Sequence, residues 1–321
     1  IADVKIIPQT DEGLVDLQKF KEMIVNYQDR DFKAAAITSC SNVTGIFTPY
    51  HEISEIMHEN DGYCFVDFAC SAPYININMH PKKDFQYLDA IYFSPHKFLG
   101  GPGSTGILIF NKKLYKNNIP DMPGGGTVDW TNPWGSHKYV DDIESREDGG
   151  TPAFLQTIKT YLCMKLKEDM GVKNILNREH EMHNLFWNRL LSFKNLHVLA
   201  HQTENRLCIY SFYIENLHYN LAVRILNDRF GIQTRGGCSC AGTYGHFLLN
   251  VDQQYSKDIT TKINQGDLTI KPGWVRLSLH PTMTDSEIFY ILESIKELCT
   301  SHVIWAEDYE YNSKTNEFYY K

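Results

Sequence analysis

The sequence predicts an α/β fold, with a large domain at residues 1–160, a smaller α+β domain at 161–300 and a tail at 301–321. Apolar β-type runs alternate with helical apolar spacing in the first 110 residues, a pattern typical of a mostly parallel sheet connected by helices. Polar residues directly follow several of these runs, as they do at the ligand-binding edge of such sheets. The length of 321 residues also exceeds that of most single domains, which favours two.

The elements of the large domain follow from the spacing of apolar residues. A short β-type run at 4–8 precedes a turn at 11–13, and helical spacing predicts a helix at 15–25. The four strands predicted for the sheet cover residues 34–38, 63–66, 90–93 and 106–110, with a helix at 52–58 between the first two. Glycine and proline are frequent at 122–136, which predicts a long functional loop.

The second half predicts a smaller domain that mixes helices with short strands. A long helical stretch at 153–170, with Pro152 near its first turn, contains the predicted domain boundary. Thr284 and Glu287 form a capping-box pattern at the start of a helix that runs to about residue 298. The remaining elements are helices at 172–191 and 217–230 and strands at 198–199, 207–213 and 274–279. The tail from residue 301 is aromatic and polar, and no pattern assigns it.

Composition excludes several classes of protein. The net charge is −8 and no run of Lys or Arg offsets it, which argues against nucleic-acid binding. No apolar stretch approaches the roughly 20 residues that cross a bilayer, and the first residues do not resemble a signal peptide. Several of the eight cysteines lie in apolar strand-like runs, as reduced thiols do, so a cytoplasmic protein is expected.

A lysine preceded by a hydroxyl and an imidazole follows the third predicted strand, as Ser94-Pro95-His96-Lys97. One hypothesis is a pyridoxal phosphate (PLP) anchor, because a lysine amine adds to a carbonyl once burial or a nearby cation lowers its pKa. The alternative is a surface lysine beside a glycine turn. A dinucleotide-binding loop is excluded at 100–106, because these glycines lead into a strand rather than a helix.

Three further residues lie where a PLP site would need them. Asp67 ends the second predicted strand, and a carboxylate facing the pyridine nitrogen keeps that nitrogen protonated. Asn42 follows the first strand and could bind the phenolic oxygen of the cofactor, although asparagine is also common in loops. Cys70 either lines the ring or is a structural thiol, and the alternative for Asp67 is a helix N-cap or a turn residue.

A glycine-flanked cysteine loop and a strand arginine complete the set. Cys238 and Cys240 lie between glycines, close to Arg235, and a nearby cation stabilises a thiolate. A structural zinc site would need two more ligands at recognisable spacing. His246 is near, but no second Cys-x-x-Cys or His-x-x-x-His motif completes a set, so no metal is expected. Arg276 lies on an apolar strand and needs a partner, either a bidentate substrate carboxylate or an internal salt bridge.

These motifs, in order from about residue 4 to about residue 298, resemble the class V aminotransferase family of fold-type I PLP-dependent enzymes, especially its cysteine desulfurase and molybdenum-cofactor sulfurase branches. The resemblance implies PLP as the cofactor, with contacts from Asn42, Asp67, Cys70, Ser94, His96, Lys97 and Thr151. Lys97 is implied to carry the Schiff base, while Ser94 and His96 contact the phosphate.

The same resemblance implies substrate and subunit contacts. Cys240, rather than Cys238, stands at the position of the desulfurase cysteine. Arg276 stands at that of the arginine that binds the α-carboxylate of an amino-acid substrate. Gly150-Thr151 matches a pair that reaches the phosphate of the neighbouring subunit, which implies a homodimer.

The sequence departs from the family pattern in three places. Cys70 stands where the family usually has Gln or His, and residues 244–268 look inserted before Arg276. The N-terminal part of the family, which carries a phosphate-binding turn and a ring-stacking side chain, has no counterpart, so the large domain is expected to be incomplete at its N-terminus. The chain is therefore expected to be the C-terminal portion of a larger enzyme.

The resemblance implies a PLP-dependent enzyme acting on an amino acid through Lys97. A cysteine desulfurase or related lyase, with Cys240 as the persulfide thiol, is the first hypothesis. A class V aminotransferase or epimerase without a role for the cysteine is an alternative. A second alternative is that the chain is an incomplete module that needs a partner polypeptide to bind PLP.

Overall fold

A computed structural model describes residues 2–10 and 12–321, so the predicted turn at 11–13 begins at Asp11, outside the described residues. The α-helices of these residues are α1 (Leu17–Val25), α2 (Tyr50–His58), α3 (Ile143–Glu147), α4 (Phe154–Met170), α5 (Val172–Leu191), α6 (Tyr219–Phe230), α7 (Gly242–Leu248), α8 (Gln253–Asn264) and α9 (Asp285–Trp305). The strands are β1 (Ala34–Thr38), β2 (Tyr63–Asp67), β3 (Ala90–Phe93), β4 (Ile107–Phe110), β5 (Val128–Thr131), β6 (His137–Tyr139), β7 (Leu196–Val198), β8 (Ile209–Ile214), β9 (Arg235–Gly237), β10 (Trp274–Ser278), β11 (Tyr309–Asn312) and β12 (Glu317–Tyr320). None of the helices just given combines the length and apolar character needed to cross a membrane.

The chain divides into two compact units, each assembled from separate stretches of sequence. The sheet unit comprises Lys21–Ser39 and Tyr50–Val172. The C-terminal unit comprises Ile1–Phe20, Cys40–Pro49 and Lys173–Lys321. The domain boundaries predicted after residues 160 and 300 stay a prediction.

The sheet unit is built on four strands in the order β1-β2-β3-β4. β1, β2 and β3 are parallel, and β4 runs antiparallel to β3. The predicted mostly parallel sheet is thus confirmed, with β1 and β3 at the predicted bounds. β4 runs antiparallel to β3 because residues 94–106, which join the two strands, contain a 3₁₀ turn but no crossover helix.

A buried charged pair lies where α2 packs near β2. The side chains of His58 and Asp89 are 4% and 3% exposed, and His58 Nε2 is 2.8 Å from Asp89 Oδ2. Asp89 Oδ2 also accepts a hydrogen bond from the backbone N–H of Cys64, while His58 Nδ1 lies 2.6 Å from the carbonyl oxygen of Phe85. Both ring nitrogens face acceptors, which requires a doubly protonated imidazolium. Burial alone lowers the pKa of His58, but the hydrogen bonds to Asp89 and Phe85 and the charge of Asp89 raise it overall.

The C-terminal unit is built on an antiparallel sheet in the order β7-β8-β10-β9. Its core contains α5, α6 and α9, whose fully buried side chains include Met182, Phe186, Ile225 and Leu298. The predicted capping box of α9 is confirmed, because Thr284 Oγ1 accepts from Glu287 N and Glu287 Oε2 accepts from Thr284 N. The unassigned tail extends α9 and then forms the β11–β12 hairpin.

Two local predictions are wrong. Residues 4–8 form no strand, and Val4 is 84% exposed, because no described strand pairs with this apolar run. Residues 122–136 are not a loop throughout, because β5 lies within them and pairs with β6 as a hairpin. The Asn132 side chain closes that hairpin by accepting hydrogen bonds from Trp134 N and Ser136 N.

We expect a stability that depends on pH through Glu179, which is buried on α5. Its Oε2 accepts from Cys208 N at 2.7 Å, and burial raises its pKa from 4.5 to about 7. The folded state therefore favours the protonated carboxyl of Glu179. The resulting contribution to the free energy of unfolding is complete below pH 4.5 and is lost as the pH rises through 7. Glu179→Gln should raise the free energy of unfolding at pH 8 by up to about 3 kcal/mol. Urea unfolding at pH 8 and pH 4.5 measures this, and an equal effect at both values would contradict it.

Candidate functional site

In the sheet unit, the predicted lysine and carboxylate lie at the carboxyl edge of two neighbouring strands. β2 ends at Asp67 and β3 ends one residue before Ser94, and the two strands pair in parallel with Asp67 opposite Tyr92. Asp67 is half-buried, and its Oδ1 accepts from Ala69 N at 2.7 Å. This hydrogen bond fixes the orientation of the carboxylate at the strand end.

Lys97 lies on a tight turn that begins at Ser94. A single 3₁₀ turn spans Pro95–Lys97, and the hydroxyl of Ser94 at its N-cap makes no capping hydrogen bond. The side chains of His96 and Lys97 are exposed. A Cβ at Gly101 would collide with the carbonyl oxygen of Pro95, so only glycine allows the chain to fold back there.

Cys70 and Thr151 also belong to the sheet unit. Cys70 is half-buried, three residues after the end of β2. Thr151 is exposed in a loop whose Gly150 N donates to Gly125 O at 2.9 Å. The predicted contacts of these two residues with a cofactor stay predictions.

Lys167 is a residue of this region that the sequence analysis missed. From α4 its Nζ donates to the carbonyl oxygens of Ala72 and Ile75, the first at 2.6 Å, and it lies 5.7 Å from the centre of the Phe98 ring. Burial lowers the pKa of Lys167 to about 8. The hydrogen bonds of Lys167 join α4 to the segment that follows Cys70.

A signal for Lys167 was present in the sequence. Thr160, Cys163 and Lys167 are spaced three and four residues apart, so they share one face of α4. Thr160 and Cys163 are the fully buried residues of this helix among those described, and Thr105 bonds to Thr160. The helical spacing therefore places Lys167 on the same face of α4 as the buried Thr160 and Cys163.

In the C-terminal unit, the cysteine loop follows β9. Arg235 Nη2 donates to Cys240 Sγ at 3.2 Å, so a cation lies beside the exposed thiol. Ser239 and Cys240 have φ angles of 50° and 62°, in the left-handed region that costs a residue other than glycine of order 1–3 kcal/mol. Such a conformation persists only where neighbouring contacts hold it.

Asn42 is one of those contacts. Its Nδ2 donates to the carbonyl oxygen of Ser239 at 2.7 Å, and its own carbonyl oxygen accepts from Arg276 Nη1 at 3.2 Å. The next residue along is fixed as well, because Ser211 Oγ donates to Val43 O at 2.7 Å. The segment after β1 therefore joins the cysteine loop to Arg276. The predicted role of Asn42 at the phenolic oxygen of a cofactor stays a prediction.

Arg235 and Arg276 lie directly opposite each other on neighbouring strands of the sheet. β9 and β10 are antiparallel, and Arg235 is the register partner of Arg276. Like charges directly opposite on neighbouring strands destabilise a sheet. The arrangement therefore favours anions at this position, such as a thiolate or a carboxylate.

The predicted residues thus divide into two sets, one in each unit. The sheet unit contains Asp67, Cys70, Ser94, His96, Lys97 and Thr151. The C-terminal unit contains Asn42, Cys240 and Arg276. Across residues 2–10 and 12–321, no group of three or more His, Cys, Asp or Glu side chains is arranged to hold a metal ion.

Comparison with known proteins identifies the class. The family model for aminotransferase class-V matches residues 1–291. The chain belongs to this family. The family predicted from the sequence motifs is therefore confirmed.

The curated relatives of the chain include proteins named as cysteine desulfurases. A probable cysteine desulfurase of Halalkalibacterium halodurans is 30% identical over 75% of this chain and 56% of its own length. One of Halobacterium salinarum is 28% identical over 74% of this chain and 55% of its own length. The chain thus spans little more than half the length of these curated relatives.

Solved structures confirm the predicted fold class. The apo structure of a cysteine desulfurase from Thermococcus onnurineus matches with a TM-score of 0.73 at 24% identity, covering 92% of this chain and 66% of the other. A cysteine desulfurase of Escherichia coli matches with a TM-score of 0.69 at 18% identity, covering 91% of this chain and 64% of the other.

Proposed function

We propose that this chain acts as a PLP-dependent cysteine desulfurase, which takes the sulfur atom of L-cysteine onto Cys240. The observation that carries the proposal is the cluster of the C-terminal unit. There an arginine contacts the Cys240 thiol, and Asn42 links the cysteine loop to Arg276. An aminotransferase has no need of an exposed thiol beside a guanidinium, whereas sulfur transfer does. The desulfurase relatives support the same conclusion.

The sheet unit offers side chains that fit PLP. The edge after β2 and β3 presents a carboxylate suited to a pyridine nitrogen, a hydroxyl and an imidazole suited to a phosphate, and an exposed amine suited to an aldehyde. These are Asp67, Ser94, His96 and Lys97. PLP, when bound, supplies an electron sink for the carbon that carries the substrate nitrogen.

The residues of the chain have separate tasks in the proposed reaction. Arg276 binds the α-carboxylate of the substrate in a bidentate manner, and Lys97 moves protons at the substrate carbons through its Nζ. The Cys240 thiolate attacks the substrate sulfur, so that a new S–S bond forms as the substrate C–S bond breaks. The products are alanine and a persulfide on Cys240, and no external oxidant or reductant is needed.

The proposal includes a homodimer in a reducing compartment. Thr151 is exposed in its loop, where it is available to a neighbouring copy of the chain. Cys64, Cys163, Cys208, Cys238 and Cys299 are thiols rather than disulfides, as in a cytoplasmic protein. Size-exclusion chromatography with light scattering tests the dimer.

We expect purified protein mixed with PLP to become yellow and to lose this visible absorbance in the Lys97→Ala variant. The amine of Lys97 is the group proposed to hold the aldehyde covalently, and alanine cannot replace it. Spectra of both proteins after removal of unbound PLP measure the effect, with the exposed Lys116→Ala as the matched control. A wild-type protein that stays colourless both by itself and with a second polypeptide added would overturn the cofactor assignment. Colour that appears only after a second polypeptide is added would favour the incomplete-module alternative.

A further inference from the structure

The C-terminal hairpin, β11–β12, lies beyond the residues that the family model matches. At its turn Asn316 is only 7% exposed and has a φ of 59°. Its Nδ2 donates to Tyr219 Oη at 2.7 Å, and its Oδ1 accepts from Tyr311 Oη at 2.9 Å. Its carbonyl oxygen accepts from the side chain of Asn220. Two of these hydrogen bonds fix the turn to the start of α6, and the third joins it to β11 of the same hairpin.

Tyr219 in turn lies directly against the glycines that begin and flank the cysteine loop. A Cβ added at Gly273 would lie 2.7 Å from the Tyr219 ring, and one added at Gly236 would lie 3.1 Å from it. Gly236 would also meet the side-chain oxygen of Asn220. No side chain larger than hydrogen fits between these residues and β9. The hydroxyl of Tyr219 therefore contacts the hairpin, and its ring contacts Gly236 of β9 and Gly273.

The contacts continue from these glycines to the loop itself. Gly237 is the register partner of Trp274 and the residue before Cys238. Cys238 Sγ donates to Pro272 O at 3.1 Å, and Ala241 N donates to Cys238 O at 2.9 Å. The start of the loop is thus fixed on the side of Tyr219. Its middle is fixed by Asn42.

We propose that the C-terminal hairpin positions Cys240, with Asn316 and Tyr219 as positioning residues. The inference rests on the proposed function of Cys240. Ser239 and Cys240 hold left-handed conformations that are unfavourable on their own, so the thiol stays beside Arg235 only while the start and the middle of the loop are both supported. Asn42 provides one support, and the hairpin provides the other through Tyr219.

Two variants remove the hydrogen bond between the hairpin and Tyr219. Asn316→Gly keeps the backbone carbonyl and tolerates the positive φ, so it deletes only the side-chain bonds. Tyr219→Phe deletes only the hydroxyl and keeps the ring against the glycines. The matched control is Thr315→Ala, an exposed neighbour in the same turn. Tyr219→Phe keeps the test valid if Asn316→Gly fails to fold.

The readout is alkylation of Cys240 by iodoacetamide, followed by peptide mass spectrometry in protein without PLP or substrate. We expect the rate at neutral pH to fall by about threefold or more in both variants and its pH profile to move upward, as the thiol leaves the guanidinium. The double variant should lose no more than the larger single effect, because both changes remove the same contact. The buried Cys208 and Cys299 should stay unreactive, which separates repositioning from unfolding.

In the PLP-loaded enzyme, kcat for sulfide release from L-cysteine should fall while KM stays within about twofold, because Arg276 is unaffected. Unchanged alkylation of Cys240 in both variants, or an equal change in Thr315→Ala, overturns the inference. Altered alkylation in a protein that releases no sulfur from cysteine overturns the proposed function and leaves the positioning role standing.

Discussion

Cys240→Ser should abolish sulfur release from L-cysteine while the visible absorbance of bound PLP is retained. A serine hydroxyl is not ionised near neutral pH and does not take the place of a thiolate as a sulfur acceptor. We expect a loss of roughly a thousandfold or more, the scale on which enzymes lose rate when their nucleophile is removed. Sulfide or persulfide formed after addition of L-cysteine measures it. Retained colour shows that the sheet unit still holds the cofactor.

The matched control is Cys238→Ser in the same loop. Cys238 is half-buried, its Sγ donates to Pro272 O, and burial raises the pKa of its thiol. A serine makes the same hydrogen bond, so activity should stay within a few-fold of the wild type. Equal activity of Cys240→Ser and the wild type would remove Cys240 from the mechanism and favour the aminotransferase or epimerase alternative.

Asp89→Asn should lower the free energy of unfolding by about 3–5 kcal/mol, the usual cost of breaking a buried ion pair by removing one partner. The change leaves the His58 imidazolium buried without its carboxylate. The folded-state pKa of His58 is raised, so the pair stabilises the fold below the unfolded pKa of about 6.5 and loses this effect as the pH rises through the folded pKa. Urea unfolding at pH 6 and pH 9 should therefore show a larger difference at pH 6.

The control for this substitution is Asp84→Asn, an exposed carboxylate five residues earlier. It should change the free energy of unfolding by no more than about 0.5 kcal/mol. A loss of stability in Asp89→Asn that equals that of the control would show that the buried pair contributes nothing net to stability.

The parts of the fold that the sequence predicted share one physical origin. β1 and β3 are continuous apolar runs, and α9 begins at a capping box, so each is determined by residues close together in the chain. The run at 4–8 has the same local character, but no strand of the described residues pairs with it, and pairing is not visible in a local pattern. The C-terminal hairpin was missed because its tyrosines and polar residues do not alternate with the period of a strand. The hydrogen bonds that hold it also come from α6, which lies far away in the sequence.

The candidate site was predictable to the same extent. Asp67 and Lys97 end neighbouring strands, so the topology of a parallel sheet brings them to one edge. The hydrogen bond from Asn42 to Ser239 joins residues 197 positions apart, and no spacing rule connects them. The opposition of Arg235 and Arg276 depends on the register of β9 and β10, which the sequence alone does not fix.

The place of Cys40–Pro49 in the C-terminal unit has a consequence for how the chain folds. This segment lies 124 or more positions before the rest of its unit resumes at Lys173, so its hydrogen bonds to β8, β10 and the cysteine loop close very long loops. High contact order of this kind slows folding, because the entropy of closure is lost before the contacts form. The unit cannot be completed from residues after 160 alone. A fragment that begins at residue 160 would lack Asn42, and Cys240 would then lie on a loop with one of its supports missing.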